Sequence, residues 1–440
     1  MATYERWDIA PDWQSPYTEE RRGGIVRRYR PDLLMESSNS VSPDVLELVH
    51  EAELGLARFG ERSRHRPLPL LYAALLKSES IASSLIEGYR TPVADVLLAE
   101  FEPQIAGDVA VTISRNVKAL RSALATLRGE WTSELIDGVQ HTLLPGWPKG
   151  FREVQVRIGG RSLFRAAYVP PPHTDVPMLM DDLVRYANRG GEPTVAKAAI
   201  VHAQFETIHP YADGNGRTGR AIVHALLARG GLAPGPVMPV STVLKARQDE
   251  YIDALGRYRY DQDAGGDRQE AVDWFVGVFS RALRDSVMLA NKVYDDVEAI
   301  WAAWGEKLSG IRADSVAHTI AAALPDHPVV TVDAVMNDHG VTRAAANRAV
   351  GRLVSVGILQ EARGKYRRSA VYIAPDVVKL MTDAERRQVS PALDTLVAAP
   401  VVPVPGPSGP FSVLCGEWMP RAEATCVLSR GHAGPHKSKR

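Results

Sequence analysis

Apolar residues recur at three- and four-residue spacing through most of the first three hundred positions, the period of one face of an α-helix. The pattern predicts two amphipathic helices between Ser42 and about Glu100, PDVLELVHEAELGLARFG and LPLLYAALLKSESIASSLIEG. It predicts another over 115–127, two more in DVPMLMDDLVRYAN and TVAKAAIVHAQFETI, and helix again over 217–229 and 247–306. One stretch departs from this period. In FREVQVRIGG, Val154, Val156 and Ile158 alternate with polar residues, as in a strand, until Pro170, Pro171 and Pro172 end the run. The expectation is a helical bundle with one small β-hairpin flap. Residues 1–40 mix Trp, Tyr, Pro and Arg without a period and predict an extended lead that packs on a neighbour.

After Ser309 the elements shorten. Residues 314–325, 331–338 and 342–356 predict three helices, with a turn at Gly340 and Thr342 placed to cap the third; ILQEARGKYRRSAVYIA predicts two strands joined by a basic turn. Three helices closed by a two-stranded ribbon is the outline of a winged helix, a helix-turn-helix variant. Five prolines between 398 and 410 exclude a packed core there and predict a stiff linker. The expected organisation is an N-terminal helical region (1–110), a helical core (111–300), a winged-helix domain (310–375), a Pro-rich linker (376–410) and a short C-terminal tail (411–440).

Composition changes the picture only in places. A chain of 440 residues, 45% apolar and 24% charged, can bury more than one core. Lys and Arg number 52, as do Asp and Glu, so the chain as a whole is no polyanion binder. Positive charge is nevertheless concentrated: between 341 and 370 stand seven Lys or Arg and the single acid Glu361, as phosphate contacts to DNA would require. The other use of such a module is docking a protein or a second copy of the chain as a homodimer. With no run of eighteen apolar residues and no basic-then-apolar leader, no membrane partner is expected, and two cysteines are too few for a disulfide scaffold. A cytoplasmic protein is the expectation.

The chemistry concentrates in His209-Pro210-Tyr211-Ala212-Asp213-Gly214-Asn215-Gly216-Arg217-Thr218-Gly219-Arg220. Two glycines flank an asparagine in a turn leading into a helix, a nest of backbone N–H groups where the helix dipole favours an anion such as phosphate. Arg217 and Arg220, three apart, share a face and reach along a polyphosphate. Asp213 offers the hard oxygen that Mg²⁺ takes beside phosphate oxygens. His209 has an ordinary pKa near neutrality and is the candidate general base.

This segment resembles the active-site motif of the Fic family, H-x-F-x-[DE]-G-N-G-R-x-x-R, with Tyr211 where the family usually has Phe. FETIHPY, VRIGG followed by AAYVPPP, and VSTVLKARQDEYIDAL extend the likeness over roughly residues 35–290. The resemblance implies a Fic-type fold and transfer of AMP from ATP, with Mg²⁺, to a Tyr, Ser or Thr hydroxyl of a protein. His209 would be the base and Asp213 the Mg²⁺ ligand. Gly214, Asn215, Gly216, Arg217, Thr218, Gly219 and Arg220 would form the ATP site, with Arg217 on the departing pyrophosphate and Arg220 on the γ-phosphate. The hairpin, through Val154, Val156, Ile158 and Gly159, would pair with an extended target segment.

Ser83-Ser84-Leu85-Ile86-Glu87-Gly88 resembles the same family's inhibitory helix, [ST]-x-x-x-E-[GN], and implies that Ser83, Glu87 and Gly88 deliver a carboxylate to Arg220 in place of the γ-phosphate. In this family the same glutamate also supports removal of AMP. Two other readings stand beside this one: a DNA-binding transcriptional regulator whose core only senses nucleotide, and an enzyme moving a different phosphate-containing group. In the tail, Cys415, Cys426, His432 and His436 are a soft-donor set for a structural Zn²⁺, though the ten residues between the cysteines exceed the common knuckle spacing.

Overall fold

The computed structural model describes residues 2–65, 68–232, 237–362 and 370–386, and two short strands at Trp418–Met419 and Ala424–Thr425. The chain divides into two compact units. Among the described residues, the larger holds those within 2–7, 27–156 and 169–386, and the smaller holds Asp8–Val26, Arg157–Tyr168 and the two short strands.

The larger unit is mainly α. Its helices are α2 (Pro43–His65), α3 (Pro69–Ile86), α4 (Val93–Phe101), α5 (Asp108–Thr126), α6 (Ser133–Leu143), α7 (Val176–Asn188), α8 (Thr194–Ile208), α9 (Asn215–Arg229), α10 (Val240–Ala246), α11 (Gln248–Tyr258) and α12 (Arg268–Leu308). α1 (Thr18–Arg22) belongs to the smaller unit. Every residue of α8 from Val195 to Ile208 is buried, which fits its apolar and small residues on all sides. α8 packs on α2, α7, α9, α11 and α12, so it forms the axis around which the others lie. The 247–306 stretch is two helices: α11 ends near Tyr258, and α12 restarts behind Asp267, whose carboxylate caps Glu270 N at 2.8 Å.

The N-terminal lead, expected to be extended or weakly structured, is extended and paired. Strands β1 (Thr3–Ile9) and β2 (Gly24–Arg30) pair in a two-stranded sheet. In the larger unit the Tyr4 and Tyr29 rings meet at a tilt of 56°, with centroids 4.8 Å apart. Val26 and Tyr29 are the buried residues of β2, three apart rather than two, which hides the strand period in the sequence. The hairpin expected at 151–168 is reduced to one bridge, Ile158 with Tyr168, in the smaller unit. There Ile158 N donates to Tyr168 O at 2.9 Å and Ala167 N to Ile158 O at 2.9 Å, while Glu19 accepts from Ser162 Oγ at 3.0 Å.

After α12 come α13 (Val316–Ala323), strand β3 (Val329–Thr331), α14 (Val332–His339), α15 (Arg343–Ser355), and strands β4 (Gln360–Glu361) and β5 (Val371–Ile373). The sheet has three strands in the order β3-β5-β4, not the expected two, because Val329–Thr331 pairs antiparallel with β5. Gly340, at φ 61°, ends α14, and Thr342 Oγ1 caps α15 by accepting from Ala345 N at 3.3 Å. The turn at Arg363–Ser369 lies outside the described residues.

The linker expected from 376 begins instead as helix α16 (Pro375–Arg386), whose Asp376 accepts from Trp304 Nε1 of α12 at 2.8 Å. Helix α3 also meets this C-terminal module. Lys77, 1% exposed, reaches Glu100 Oε2 at 3.1 Å and donates to Asp326 O at 3.1 Å. A buried ammonium held this way ties α3 to the loop before β3.

Candidate active site

The turn between α8 and α9 carries the motif. His209 follows the last residue of α8 at φ 52°, the one non-glycine residue with positive φ among the described residues. That conformation is costly for a side chain with a Cβ and is held from outside. His209 N donates to Phe205 O at 2.9 Å, and the buried Arg152 donates from Nε to His209 O at 2.9 Å and from Nη2 to Pro171 O at 2.6 Å. Arg152 is therefore a positioning residue for His209. The sequence contains it in FREVQ, yet nothing in its spacing marks it.

Asn215 closes the same turn. Its Oδ1 accepts from Tyr211 N at 2.9 Å and its Nδ2 donates to Tyr211 O at 2.8 Å, so its side chain clamps the loop rather than facing a phosphate. Of Asn215, the backbone is the part left as a candidate phosphate contact. Tyr211 is buried, and the hydroxyl that distinguishes it from the usual Phe donates to Asp137 Oδ1 at 2.6 Å. Burial raises the Asp137 carboxyl, against the pull of that hydrogen bond.

Helix α9 presents two glycines with different purposes. A Cβ on Gly216 would run into Glu87 Oε1, so Gly216 leaves room for an anion over the first turn of the helix. A Cβ on Gly219 would meet Glu206 Oε1, His202 Nδ1 and Phe205 of α8, so Gly219 serves helix packing. Thr218 is buried beside it, with its hydroxyl unpartnered. Gly214, at φ 81°, precedes the helix and packs against Leu143 and Leu144.

The anion over this turn is the chain's own. Gly88, at φ 89°, ends α3 and leaves Glu87 at the helix terminus. Arg220 Nη2 donates to Glu87 Oε1 at 2.7 Å and to Ser83 O at 2.8 Å, while Arg220 Nε donates to Ser83 Oγ at 2.8 Å. Burial opposes charge on Glu87, but Arg220, with Arg217 and His209 beyond it, outweighs this and holds the carboxyl below the usual range. Ser83, Glu87 and Arg220, 137 and 133 positions apart in sequence, are thus brought together.

Arg217 is 2% exposed, with Nε and Nη1 unpartnered; its guanidinium lies over the Tyr89 ring at 4.8 Å. Asp213 is 41% exposed at the side chain, and its Oδ1 accepts from Gly214 N at 2.6 Å. Its hard, accessible oxygens fit Mg²⁺ held by one carboxylate together with phosphate oxygens, and among the described residues no group of three or more His, Cys, Asp or Glu forms a metal cage. Burial lowers His209 to about 3, with Arg259 adding to the shift, so the imidazole is neutral near pH 7.

Beneath the motif lies a polar layer that sequence reasoning missed. Glu79, one turn before Ser83, accepts from His224 at 2.9 Å and from Ser241 N at 2.7 Å. Glu79, Ser83 and Glu87 on α3 therefore face His224, Arg220 and Gly216 on α9, rung by rung at i, i+4 and i+8. The four-residue spacing was visible, but the partner helix was not. Glu206 on α8 is buried with Oε1 unpartnered, and burial raises it to about 7. Relative to its ordinary 4.5, the folded chain keeps a proton that the unfolded chain has lost, so stability falls as pH rises from about 4.5 to 7. The expected amount is up to roughly 3 kcal/mol. Glu206→Gln should remove this loss, opening a Tm gap over the parent that grows between about pH 5 and 8 in thermal melts; a pH-independent gap would contradict the assignment.

The expected flap residues are divided. Val154 is 62% exposed and Val156 half-buried in the larger unit, whereas Ile158 and Gly159 belong to the smaller. Cys415, Cys426, His432 and His436 lie outside the described residues.

The turn between α8 and α9 thus brings His209, Asp213, a glycine turn and Arg217 together with Arg220, which the chain's own Glu87 holds. The sequence model of the Fic/DOC family matches residues 130–227, which include His209 to Arg220, and this chain is a Fic domain protein. A probable protein adenylyltransferase of Aquifex aeolicus (strain VF5) is 28% identical over 259 residues, 54% of this chain and 77% of that protein. The protein adenylyltransferase Fic of Drosophila melanogaster is 38% identical over 87 residues, 19% of this chain. The chain spans only about a sixth, 16%, of that relative's length. Among solved structures, a Fic family protein from Desulfovibrio desulfuricans G20 aligns with 76% of this chain and 97% of its own, at 23% identity and a TM-score of 0.46.

Proposed function

We propose that the protein transfers AMP from ATP to a Tyr, Ser or Thr hydroxyl of a protein, and that Glu87 inhibits it from within the same chain. The observation that carries this reading is the Arg220 guanidinium, held by Glu87 and Ser83 beside an otherwise complete set of His209, Asp213 and the Gly214–Gly216 turn. The names of the adenylyltransferase relatives support the choice of group transferred.

In this mechanism the acceptor oxygen attacks the α-phosphorus of ATP, a new P–O bond forms, and the bond to the β-phosphate oxygen breaks. His209, neutral at pH 7, takes the hydroxyl proton. The backbone of the Gly214–Gly216 turn and the N-terminus of α9 bear the phosphates, and Arg217, with two unpartnered guanidinium nitrogens, stabilises the departing pyrophosphate. Asp213 would hold Mg²⁺, which neutralises phosphate charge when bound. With Glu87 in place, Arg220 cannot grip the γ-phosphate, and ATP sits in an unfit orientation.

The test separates this reading from phosphoryl transfer by the same fold. Glu87→Gly protein incubated with α-labelled or γ-labelled ATP is expected to retain the α-label alone. Retention of the γ-label would replace AMP transfer with phosphate transfer.

A further inference from the structure

Helix α15 carries a surface that the adenylyl-transfer reading leaves unused. Ala346, Ala349, Val350 and Leu353 bury one side of it. The other side exposes Ala344, Asn347, Arg348, Gly351, Arg352 and Ser355, at three- and four-residue steps, with the partly exposed Val354 at its C-terminal end. From Ala344 to Ser355 there are eleven residue steps, about 16 Å of helix at 1.5 Å per residue.

Three features of this face point to the same partner. From Val341 to Gln360 there are three arginines and no acid. Arg343 is paired with Asp333 of α14 at 2.5 Å, whereas Arg348 and Arg352 meet no carboxylate among the described residues. Gly351 sits inside the helix, where glycine costs about 1 kcal/mol relative to alanine. A Cβ there would touch nothing within 4 Å, so packing within the chain does not call for glycine. With Ala344 and Ser355 it makes a low ridge between Asn347, Arg348 and Arg352, over which a large ligand can approach the backbone. Finally, α14, the Gly340 turn and the Thr342-capped α15 run helix, turn, helix, and the second of the two carries this exposed face.

We propose that this face of α15 enters the major groove of duplex DNA. The groove, about 12 Å wide, admits a helix, arginine pairs with guanine O6 and N7, and asparagine with adenine N6 and N7. Arg348 and Arg352 supply phosphate or guanine contacts, and Asn347 the second reading group. The deep, narrow major groove of duplex RNA does not admit the helix. An apolar anchor suited to a protein interface is absent from the centre of the face, where Asn347, Arg348 and Gly351 stand.

The experiment uses the full chain and a fluorescently labelled random-sequence DNA duplex, with binding read by anisotropy across a salt series. Saturable binding that weakens steeply with salt is expected, since each phosphate contact contributes close to one unit of log–log slope. Arg348→Ala/Arg352→Ala should weaken binding at least about tenfold and reduce the slope by up to roughly two. The double variant should keep the parent's Tm and, in a Glu87→Gly background, its self-modification. That control keeps unfolding apart from lost contact and makes the result independent of the adenylyl-transfer reading. No saturable binding at low salt, binding indifferent to the double variant, or equal competition by duplex RNA would overturn the proposal.

Discussion

Replacing His209 with alanine in a Glu87→Gly background is expected to lower AMP transfer by about 10² to 10⁴-fold, the range seen when a general base is lost. The expectation rests on geometry as well as residue type. His209 is fixed in a left-handed conformation by hydrogen bonds at its N–H and at its carbonyl, so the imidazole is aimed by the backbone rather than by neighbouring side chains. Burial holds it neutral, the form that accepts a proton. ATP binding should survive the substitution, because the glycine turn, Arg217 and Arg220 are untouched. A variant that binds ATP and transfers AMP at the parent rate would remove His209 as the base and favour a nucleotide-sensing core.

Glu87→Gly alone should raise self-modification by roughly tenfold or more. The carboxylate makes a charge-assisted hydrogen bond to Arg220, of a kind that contributes about 1.5–3 kcal/mol where solvent is excluded. Here 35% of the Glu87 side chain is exposed, so screening reduces the figure toward its lower end. About 1.4 kcal/mol corresponds to a factor of ten. The same pair sets the pH behaviour. Glu87 is held below its ordinary 4.5, so its pairing is complete above that value and is lost only as pH falls through its lower folded pKa. Inhibition of the parent protein should therefore be flat through the neutral range, and ordinary acidification should not release it. Release requires moving α3. That helix is fastened at Glu79 and Ser83 to α9 and α10, and at Lys77 to Glu100 and to the loop before β3. Lys77 links α3 to the C-terminal module by a buried charge.

The chemistry of the site was legible in twelve consecutive residues because a turn between two helices needs only local sequence to bring base, carboxylate and arginines together. Glu87 was legible only by resemblance, since a glutamate on an amphipathic helix is by itself an ordinary solvated carboxylate. Roles decided by distant partners could not be read. Tyr211 finds Asp137 74 positions away, and Glu79 finds His224 145 away. The loop clamp made by Asn215 was hidden for a related reason: a motif marks a residue as necessary without saying that it holds the loop. The helices of the bundle followed their 3.6-residue period. β1 and β2 escaped because the buried residues of β2 do not alternate, and the paired hairpin was overcalled at Val154 and Val156 because alternation is shared by strands and by extended loops.

The account's central claim is that Glu87 stands where the terminal phosphate of a productively bound nucleotide must go. Intact-mass spectrometry of the Glu87→Gly protein after incubation with ATP and magnesium tests it most directly. The predicted result is a chain carrying one or more adenylyl groups, with the parent far less modified and the Glu87→Gly/His209→Ala double variant unmodified. A Glu87→Gly protein that binds ATP yet gains no more adenylyl mass than the parent would contradict it.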